Sequence, residues 1–343
     1  MKNIIVCTGS RAEYGLLHPV LRKLKDRCKL TLLVTGSHLS QQHGYTAQYI
    51  DADIHQVHVP GLVSYDQPLG VCLSMANFIP PMASALQTAD KVVLLGDRYE
   101  MLSAALAAHN IGVPIAHIQG GDVTKGSLDD GYRDCITRLA TEHYVATYDA
   151  LDNVQRLQRS NDQHVVGSLA CVLPDVQAND EYEYIVVVHP DQSLAATAVL
   201  QAIAEVPGKC LMVGPNADAG GSTISEVMKM FAEHSDQFDY VESMPRPDFL
   251  AYLKGAKAIV GNSSCGIFEA PMLKTRTVNV GTRQQGRLKA KSIIDCQSSY
   301  EEVKKALARI DGEHPTVFFP WECPYYKEGT VEAIVDGVLN GLA

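Results

Sequence analysis

Chemistry in this chain concentrates where apolar runs give way to small residues, arginines and carboxylates. Gly261-Asn262-Ser263-Ser264-Cys265-Gly266 follows the apolar run Ala256–Val260 and precedes a helical stretch carrying Glu269. A small-residue turn between strand and helix leaves backbone N–H groups unpaired and lets a ligand approach closely. The helix N-terminus adds about half a positive charge, so phosphate or diphosphate is the guest this turn suits. Cys7-Thr8-Gly9-Ser10-Arg11, after the apolar Ile4–Val6, repeats the design at the other end of the sequence. Two phosphate-compatible turns, one per half, point to a ligand held between two similar domains.

Further candidates each admit two readings. Arg11 opens a helix in Gly9-Ser10-Arg11-Ala12-Glu13-Tyr14 and either contacts a diphosphate or uracil, or is an exposed arginine at a capped helix start. Asp97, in Gly96-Asp97-Arg98-Tyr99-Glu100, ends the apolar run Val92–Leu95. Glu100 three residues later makes a capping box possible, while a carboxylate at a strand's carboxyl end can also reach a ligand. His117-Ile118-Gln119-Gly120-Gly121-Asp122 closes the next strand, its glycines permitting a tight turn with or without a ligand beside it. Asp129-Asp130 begin a helix that runs on through Arg133, where acidic residues commonly complement the helix dipole. His189, in Val188-His189-Pro190, is either a structural histidine or a phosphate or catalytic contact. Thr282, Arg283 and Arg287 form a basic stretch that either addresses phosphates or is solvated surface. No G-x-G-x-x-G follows the first strand, so a nicotinamide site is not expected, and His117, His143 and Asp122 lack the spacing of a metal site.

The elements that must position these residues alternate along the chain. Strands are expected at Ile4–Val6, Leu30–Val34, Lys91–Leu95, Val113–Ile118, His143–Val145 and His164–Val166. Helices are expected at Leu16–Lys25, Tyr99–His109, Asp130–Thr141 and Ala150–Gln158, with Pro80-Pro81 breaking or kinking a stretch from Leu69 to Leu86. After an acidic, aperiodic interval at Pro174–Glu183 the rhythm restarts, with strands at Tyr184–Val188, Lys209–Val213, Asp239–Val241, Ala256–Val260 and Thr277–Val280. Apolar strands alternating with helices imply an α/β protein with parallel sheets covered on both faces, and ligands at the carboxyl ends of the strands.

Bulk composition agrees with this and excludes other classes. A length of 343 residues suggests about two domains. With 29 basic and 39 acidic residues the formal charge is −10, which argues against a nucleic-acid partner. A few arginines in a cleft still suffice for an anionic small ligand. The nine cysteines are scattered without a C-x-x-C pair, favouring a reducing cytoplasmic setting over a disulfide scaffold or structural zinc. Met1-Lys2-Asn3 leads straight into the first strand, so no signal peptide is expected, and no uninterrupted apolar run suggests a membrane span.

Taken in order, several segments resemble the hydrolysing UDP-N-acetylglucosamine 2-epimerases. They are T-G-S-R-A-E-Y-G at 8–15, V-T-G-S-H-L-S at 34–40, L-G-D-R-Y-E-M-L at 95–102, H-I-Q-G-G-D-V-T at 117–124 and D-D at 129–130. V-H-P at 188–190, G-N-S-S-C-G-I-F-E at 261–269 and N-V-G-T-R-Q at 279–284 complete the set. The resemblance implies a GT-B-like fold of two Rossmann-type domains with parallel sheets facing across a cleft. Its implied boundaries are 1–170 for a sugar-side domain, 171–183 for a linker and 184–326 for a UDP-binding domain. A C-terminal helix in 327–343 would pack back across the interdomain region.

The same resemblance implies conversion of UDP-N-acetylglucosamine and water to N-acetylmannosamine and UDP, by elimination of UDP and addition of water, in sialic acid or related nonulosonate synthesis. It implies no cofactor, no metal and a homodimer. Ser263 and Ser264 would bind the diphosphate, with Gly266 in the same loop; Glu269 would take the ribose hydroxyls; Arg11 would help fix the nucleotide, and His189 and Arg283 would lie near the leaving group. Asp97, Gln119, Asp122, Asp129 and His189 form the implied catalytic set.

Gln119 departs from the family pattern, since many members carry a glutamate there with an acid/base role. Glutamine cannot ionise, although it can hydrogen-bond an acetamido group. Natural variation, with Asp122 or Asp97 taking over, is the favoured explanation; a different substrate and an impaired variant are the others. The alternatives are therefore a hydrolysing epimerase of a UDP- or GDP-linked 2,4-diacetamido-2,4,6-trideoxyhexose, a GT-B glycosyltransferase, or a nucleotide-sugar-binding protein that has lost catalysis.

Overall fold

The computed structural model describes residues 1–63, 67–157, 162–191, 196–215, 220–312 and 322–340. The chain divides into two compact units: Met1–Val123 with Leu128–Val172 and Tyr325–Ala343, and Thr124–Ser127 with Leu173–Pro324.

In the first unit, β1 (Asn3–Thr8), β2 (Lys29–Val34), β3 (Gln56–His58), β4 (Lys91–Leu95), β5 (Ile115–Ile118), β6 (Glu142–Val145) and β7 (Gln163–Val165) form one parallel sheet in the order β3-β2-β1-β4-β5-β6-β7. β1 and β4 are buried almost throughout, as expected for strands covered on both faces. α1 (Arg11–Lys25), α2 (Pro68–Leu86), α3 (Tyr99–Asn110), α4 (Asp129–Leu139) and α5 (Tyr148–Leu157) supply the cover. Leu17, Leu21 and Leu24 of α1 bury against Ile4, Val6 and Leu32 on one face. On the other, Phe78, Met82 and Leu86 of α2 join Ile5, Val92 and Leu94.

Of the two outcomes expected at Pro80-Pro81, a break or a kink, the break does not occur: α2 continues through both prolines. Both rings lie on its exposed side, where carbonyls that lose their helical donor can be hydrated. By length and composition α2 is apolar enough to cross a membrane, yet its Phe78, Met82 and Leu86 are core residues of this unit. The expected helix end at Gln158 lies outside the described residues.

The second unit repeats the plan. β8 (Tyr184–Val187), β9 (Cys210–Val213), β10 (Phe238–Val241), β11 (Ala258–Gly261), β12 (Arg276–Val280) and β13 (Ile293–Cys296) are parallel in the order β10-β9-β8-β11-β12-β13. α6 (Ala196–Ile203), α7 (Gly221–His234), α8 (Arg246–Gly255), the short α9 (Glu269–Leu273) and α10 (Tyr300–Gly312) surround it. Residues 173–183 lie along α8, where the Asn179 amide donates to the Ala251 carbonyl at 2.9 Å. Last in the chain, α11 (Thr330–Asn340) belongs to the first unit, burying Val331, Ile334, Val335 and Val338 with Leu17 and Leu21.

Each sheet reverses its strand order once, between β1 and β4 in the first unit and between β8 and β11 in the second. Loops leaving the carboxyl ends of such neighbouring strands diverge to opposite faces and open a crevice where doubly wound folds bind ligands.

Candidate active site

At the first reversal point, Ser10 caps α1, its hydroxyl accepting from the Glu13 amide at 3.4 Å. Arg11 follows at the first helical position. Burial lowers its pKa to about 10, and among the described residues it makes no hydrogen bond or ion pair, its Nε being buried without an acceptor. A desolvated guanidinium without a carboxylate is costly unless an anion completes it. His38, fully buried, is hydrogen-bonded between the hydroxyls of Thr8 and Thr46 at 3.1 and 2.9 Å, fixing the segment after β2 against the end of β1. Burial lowers its pKa to about 4, so it is neutral at physiological pH.

Asp97 stands beyond β4 after Gly96, whose φ is +75°. No capping box forms there: the N-cap of α3 is Arg98, and Glu100 binds the Arg98 guanidinium, with Nε at 3.2 Å from Oε2. Asp97 instead pairs with Arg133 of α4. Arg133 is only 1% exposed in its side chain, whereas Asp97 keeps 23%. The same guanidinium donates to the Asp122 carbonyl at 2.6 Å and to Asp130 Oδ1 at 2.8 Å. Burial opposes the charge on Arg133, but Asp97, Asp122 and Asp130 outweigh it and raise its pKa. Asp129 begins α4 one residue before Asp130, which is the carboxylate that Arg133 takes.

β5 contributes from within the sheet. His117 Nε2 lies 2.7 Å from the Gly96 carbonyl, so this nitrogen donates, and Nδ1 lies 3.3 Å from the Thr137 hydroxyl. Burial brings the His117 pKa down to about 4; the ring is a neutral brace for the turn that carries Asp97. Gln119 adopts φ +61°, a left-handed conformation that costs a non-glycine residue about 1–3 kcal/mol. Its amide is held by the Tyr144 carbonyl at 2.8 Å. At Gly121, with φ +78°, a Cβ would lie 2.2 Å from the Ala150 carbonyl oxygen, so only glycine fits. Backbone strain and buried charge thus coincide at the ends of β4 and β5.

At the second reversal point the organiser is a neutral amide. Asn262, fully buried, accepts from the His189 amide at 2.7 Å and donates to the His189 carbonyl at 2.9 Å, tying the end of β8 to the end of β11. The Asn262 carbonyl in turn accepts from Gln284 Nε2 at 2.8 Å and Arg283 Nη1 at 3.4 Å. Gln284 Oε1 receives Arg287 at 2.5 Å, and that guanidinium lies 4.9 Å over the Phe268 ring. Gly261, at φ +144°, lets β11 pass the Val187 carbonyl, which a Cβ would approach to 2.1 Å.

Ser263 and Ser264, half-buried, follow Asn262, and Ser263 caps a single 3₁₀ turn over Ser264–Gly266. Gly266 is packed against Thr277, whose hydroxyl donates to the Gly266 carbonyl at 2.7 Å. Glu269 opens α9 and pairs with Arg246 at 3.6 Å; burial raises its pKa while Arg246 opposes the rise. The Cys265 thiol, pushed up to about 12 by burial, is no nucleophile at neutral pH. Among the described residues no three His, Cys, Asp or Glu side chains gather as a metal site.

Within the first unit, then, Asp97 and Asp122 meet on one arginine, with Gln119 and Arg11 at the same carboxyl ends of the strands. Within the second, His189, Ser263 and Arg283 surround Asn262, and Glu269 stands at the start of α9. Sequence reading missed Arg133, Arg246, Asn262 and Glu13. The signal for Glu13 was present in Ser10-x-x-Glu13, a capping-box pattern.

Residues 22–339 match the family model described as UDP-N-acetylglucosamine 2-epimerase. The chain is 31% identical to the UDP-N-acetylglucosamine 2-epimerase of Neisseria meningitidis serogroup B, over 86% of this chain and 83% of that protein. It is 30% identical to the UDP-N,N'-diacetylbacillosamine 2-epimerase (hydrolyzing) of Legionella pneumophila, over 90% of this chain and 88% of that one. In structure it resembles S. aureus MnaA in its complex with UDP, with a TM-score of 0.80, 17% identity and coverage of 100% and 98% of the two chains. The paired parallel sheets of seven and six strands are accordingly GT-B-like. Motif order, strand order and sequence similarity agree: the chain belongs to the UDP-N-acetylglucosamine 2-epimerase family.

Proposed function

We propose that this protein is a hydrolysing 2-epimerase that converts UDP-N-acetylglucosamine and water to N-acetylmannosamine and UDP. The observation that carries this reading is the row of polar groups at the carboxyl ends of three central strands of the first sheet. Neighbouring strands β1, β4 and β5 lead into Arg11, Asp97 and the Gln119–Asp122 turn respectively. An anionic substrate would satisfy Arg11, and carboxylates beside it are the groups that a proton transfer at carbon requires.

The proton on sugar C2 is hardly acidic in the ground state. It becomes removable as the C1–O bond to UDP stretches and positive charge grows at C1. A base takes the C2 proton, the electron pair forms C1=C2, and the oxygen leaves with UDP. Water then adds its oxygen at C1, and a proton returns to C2 with inverted configuration. Asp97, ionically tethered yet partly open, is assigned the proton transfer at C2, and Asp122 with the Asp129-Asp130 pair supplies the remaining acid/base function. Each such group contributes about 10²–10⁴-fold. Gln119 is assigned to the acetamido group. In the second unit, the Ser263–Ser264 turn takes the diphosphate, Glu269 the ribose hydroxyls, and Arg283 with His189 the departing charge.

A second reading keeps the chemistry and changes the sugar. Legionella's relative is named for UDP-N,N'-diacetylbacillosamine, at an identity equal within a point to that of the Neisseria relative. Incubation in D₂O with each nucleotide sugar, followed by NMR, separates the two. N-acetylmannosamine deuterated at C2 supports the first; inert UDP-N-acetylglucosamine with turnover of the diacetamido sugar supports the second. Absence of UDP release from either without an acceptor overturns both. Gln119→Glu adds a check: a large rate gain would mark the natural chain as impaired, and a loss would show glutamine to be functional.

The family resemblance also supports a homodimer, which light scattering tests. Nine free cysteines suit a reducing cytoplasm.

A further inference from the structure

A buried histidine stands where the segments carrying the proposed acid/base groups come together. His117, on β5, is fully buried. Its Nε2 lies 2.7 Å from the carbonyl of Gly96, the residue before Asp97. Its Nδ1 lies 3.3 Å from the hydroxyl of Thr137, itself fully buried on α4. Gly120 lies against this pair: a Cβ built there would come within 2.7 Å of His117 Nδ1 and 2.9 Å of Thr137 Oγ1. The ring therefore meets the Asp97 turn, the Gln119–Asp122 turn and the helix that begins with Asp129.

A carbonyl only accepts, so Nε2 carries the ring proton, and the neutral ring leaves Nδ1 to accept from the Thr137 hydroxyl. Both nitrogens are thus used on the scaffold, and the ring itself exchanges no proton with a ligand. Gly96 depends on these bonds for its orientation. Its φ is +75°, and no atom lies within 4 Å of where a Cβ would stand, so packing does not fix it. Its amide donates to the Ile118 carbonyl at 2.9 Å and its carbonyl accepts from His117, so β5 holds both polar groups. That carbonyl belongs to the peptide leading into Asp97, and rotating it re-aims the Asp97 side chain. The carboxylate end of Asp97 is paired with Arg133, which stands one helical turn before Thr137 on α4.

We propose that His117 is a positioning residue for this reaction, whose ring, wedged among Gly96, Gly120 and Thr137, holds the Asp97 turn at a fixed angle to the Gln119–Asp122 turn. The effect on turnover rests on the proposed function; the wedge itself does not. A base must lie within hydrogen-bond reach of the proton it takes, and a misplacement of about 1 Å costs about 10²-fold.

Two amides placed differently test the role. Glutamine at this position carries its amide nitrogen near the place of Nε2; asparagine carries it near the place of Nδ1 and falls short of Gly96. His117→Asn should lower kcat by about 10–100-fold, and His117→Gln should recover most of that loss. UDP affinity, measured by calorimetry, should stay within about twofold of wild type in both. Loss of the core packing alone would not rank the variants by where the amide lies. Equal loss in the two, an unchanged kcat, or a loss confined to KM overturns the proposal. Should either variant fail to fold by circular dichroism, Gly120→Ala decides. It keeps the ring but presses on its contact with Thr137, at a residue whose backbone is not left-handed. A kcat lower by about tenfold with UDP affinity kept is expected, and an unchanged kcat overturns the proposal.

Nitrogen-15 spectra of the wild-type imidazoles read the wedge without any substrate. At pH 7 the His117 ring should carry its proton on Nε2 alone. A proton on Nδ1 alone removes the bond to Gly96, and protons on both nitrogens remove the one from Thr137; either result overturns the wedge. If wild type releases no UDP from either nucleotide sugar while the spectra are as expected, the functional reading fails and the wedge stands.

Discussion

The two reversal points share a strand order and differ in what fills them. In the first unit the carboxyl ends of β1, β4 and β5 are knitted by charge: Arg133 with Asp97 and Asp130, and Arg98 with Glu100, with Arg11 beside them making no ion pair among the described residues. In the second, the ends of β8 and β11 are knitted by neutral amides, Asn262 with His189 and Gln284, with ions set back at Glu269 and Arg246. Charge networks can move protons but are expensive to bury. Amide networks hold a backbone still without titrating. One scaffold has therefore been finished in two ways, which match the proposed division between chemistry and grip.

The largest effect that can break this contrast is expected from Asp97→Asn. Turnover should drop by about 10²–10⁴-fold while UDP, measured by calorimetry, still binds. A variant that loses UDP and keeps its turnover would reverse the assignment of roles. Glu269→Ala should do the opposite, weakening UDP by about 10–100-fold through the loss of charged hydrogen bonds, with turnover at saturation largely retained.

Acid sharpens the comparison next. His38 and His117 are depressed to about 4 by burial, and His143 to about 3. All three belong to the first unit. An unfolded histidine takes up its proton near 6.5, so the stability these rings contribute is complete above that pH and drains away as pH falls toward about 4. At pH 5 the loss is at most about 2 kcal/mol for each ring. Hydrogen exchange at pH 7 and pH 5, corrected for intrinsic rates, should show protection falling in β1, β5 and β6 more than in β8, β11 and β12. Uniform loss would contradict it. The smallest effect is Gln119→Gly, which relieves a left-handed glutamine and should raise stability by up to about 1 kcal/mol in thermal unfolding.

Much of this was legible in sequence because buried parallel strands are nearly unbroken apolar runs. Lys91–Leu95 was readable to the residue, and Asp97, Ser263 and Ser264 stand out as the polar residues that follow such runs. The short edge strands β3 and β13 were not legible. Gln56-Val57-His58 is three half-polar residues, and Ile293-Ile294-Asp295-Cys296 is nearly as brief, so neither carries an apolar run long enough to announce a strand. Arg133 escaped for a different cause. It sits on an amphipathic helix where a charge ordinarily means solvent, and its meaning comes from a partner the fold brings from beyond another strand. Pro80-Pro81 does not end the helix because the rule against proline in helices weakens where the helix faces water.

Placement of α11 in the first unit has a consequence for biogenesis. A ribosome that has emitted the chain through Pro324 has released every residue of the second unit, while Leu17 and Leu21 still lack Val331, Ile334 and Val335. The amino-terminal half would thus be the later of the two to mature, despite being made first. Stalled nascent chains of that length should yield a protease-resistant fragment from the second unit and a digestible first one.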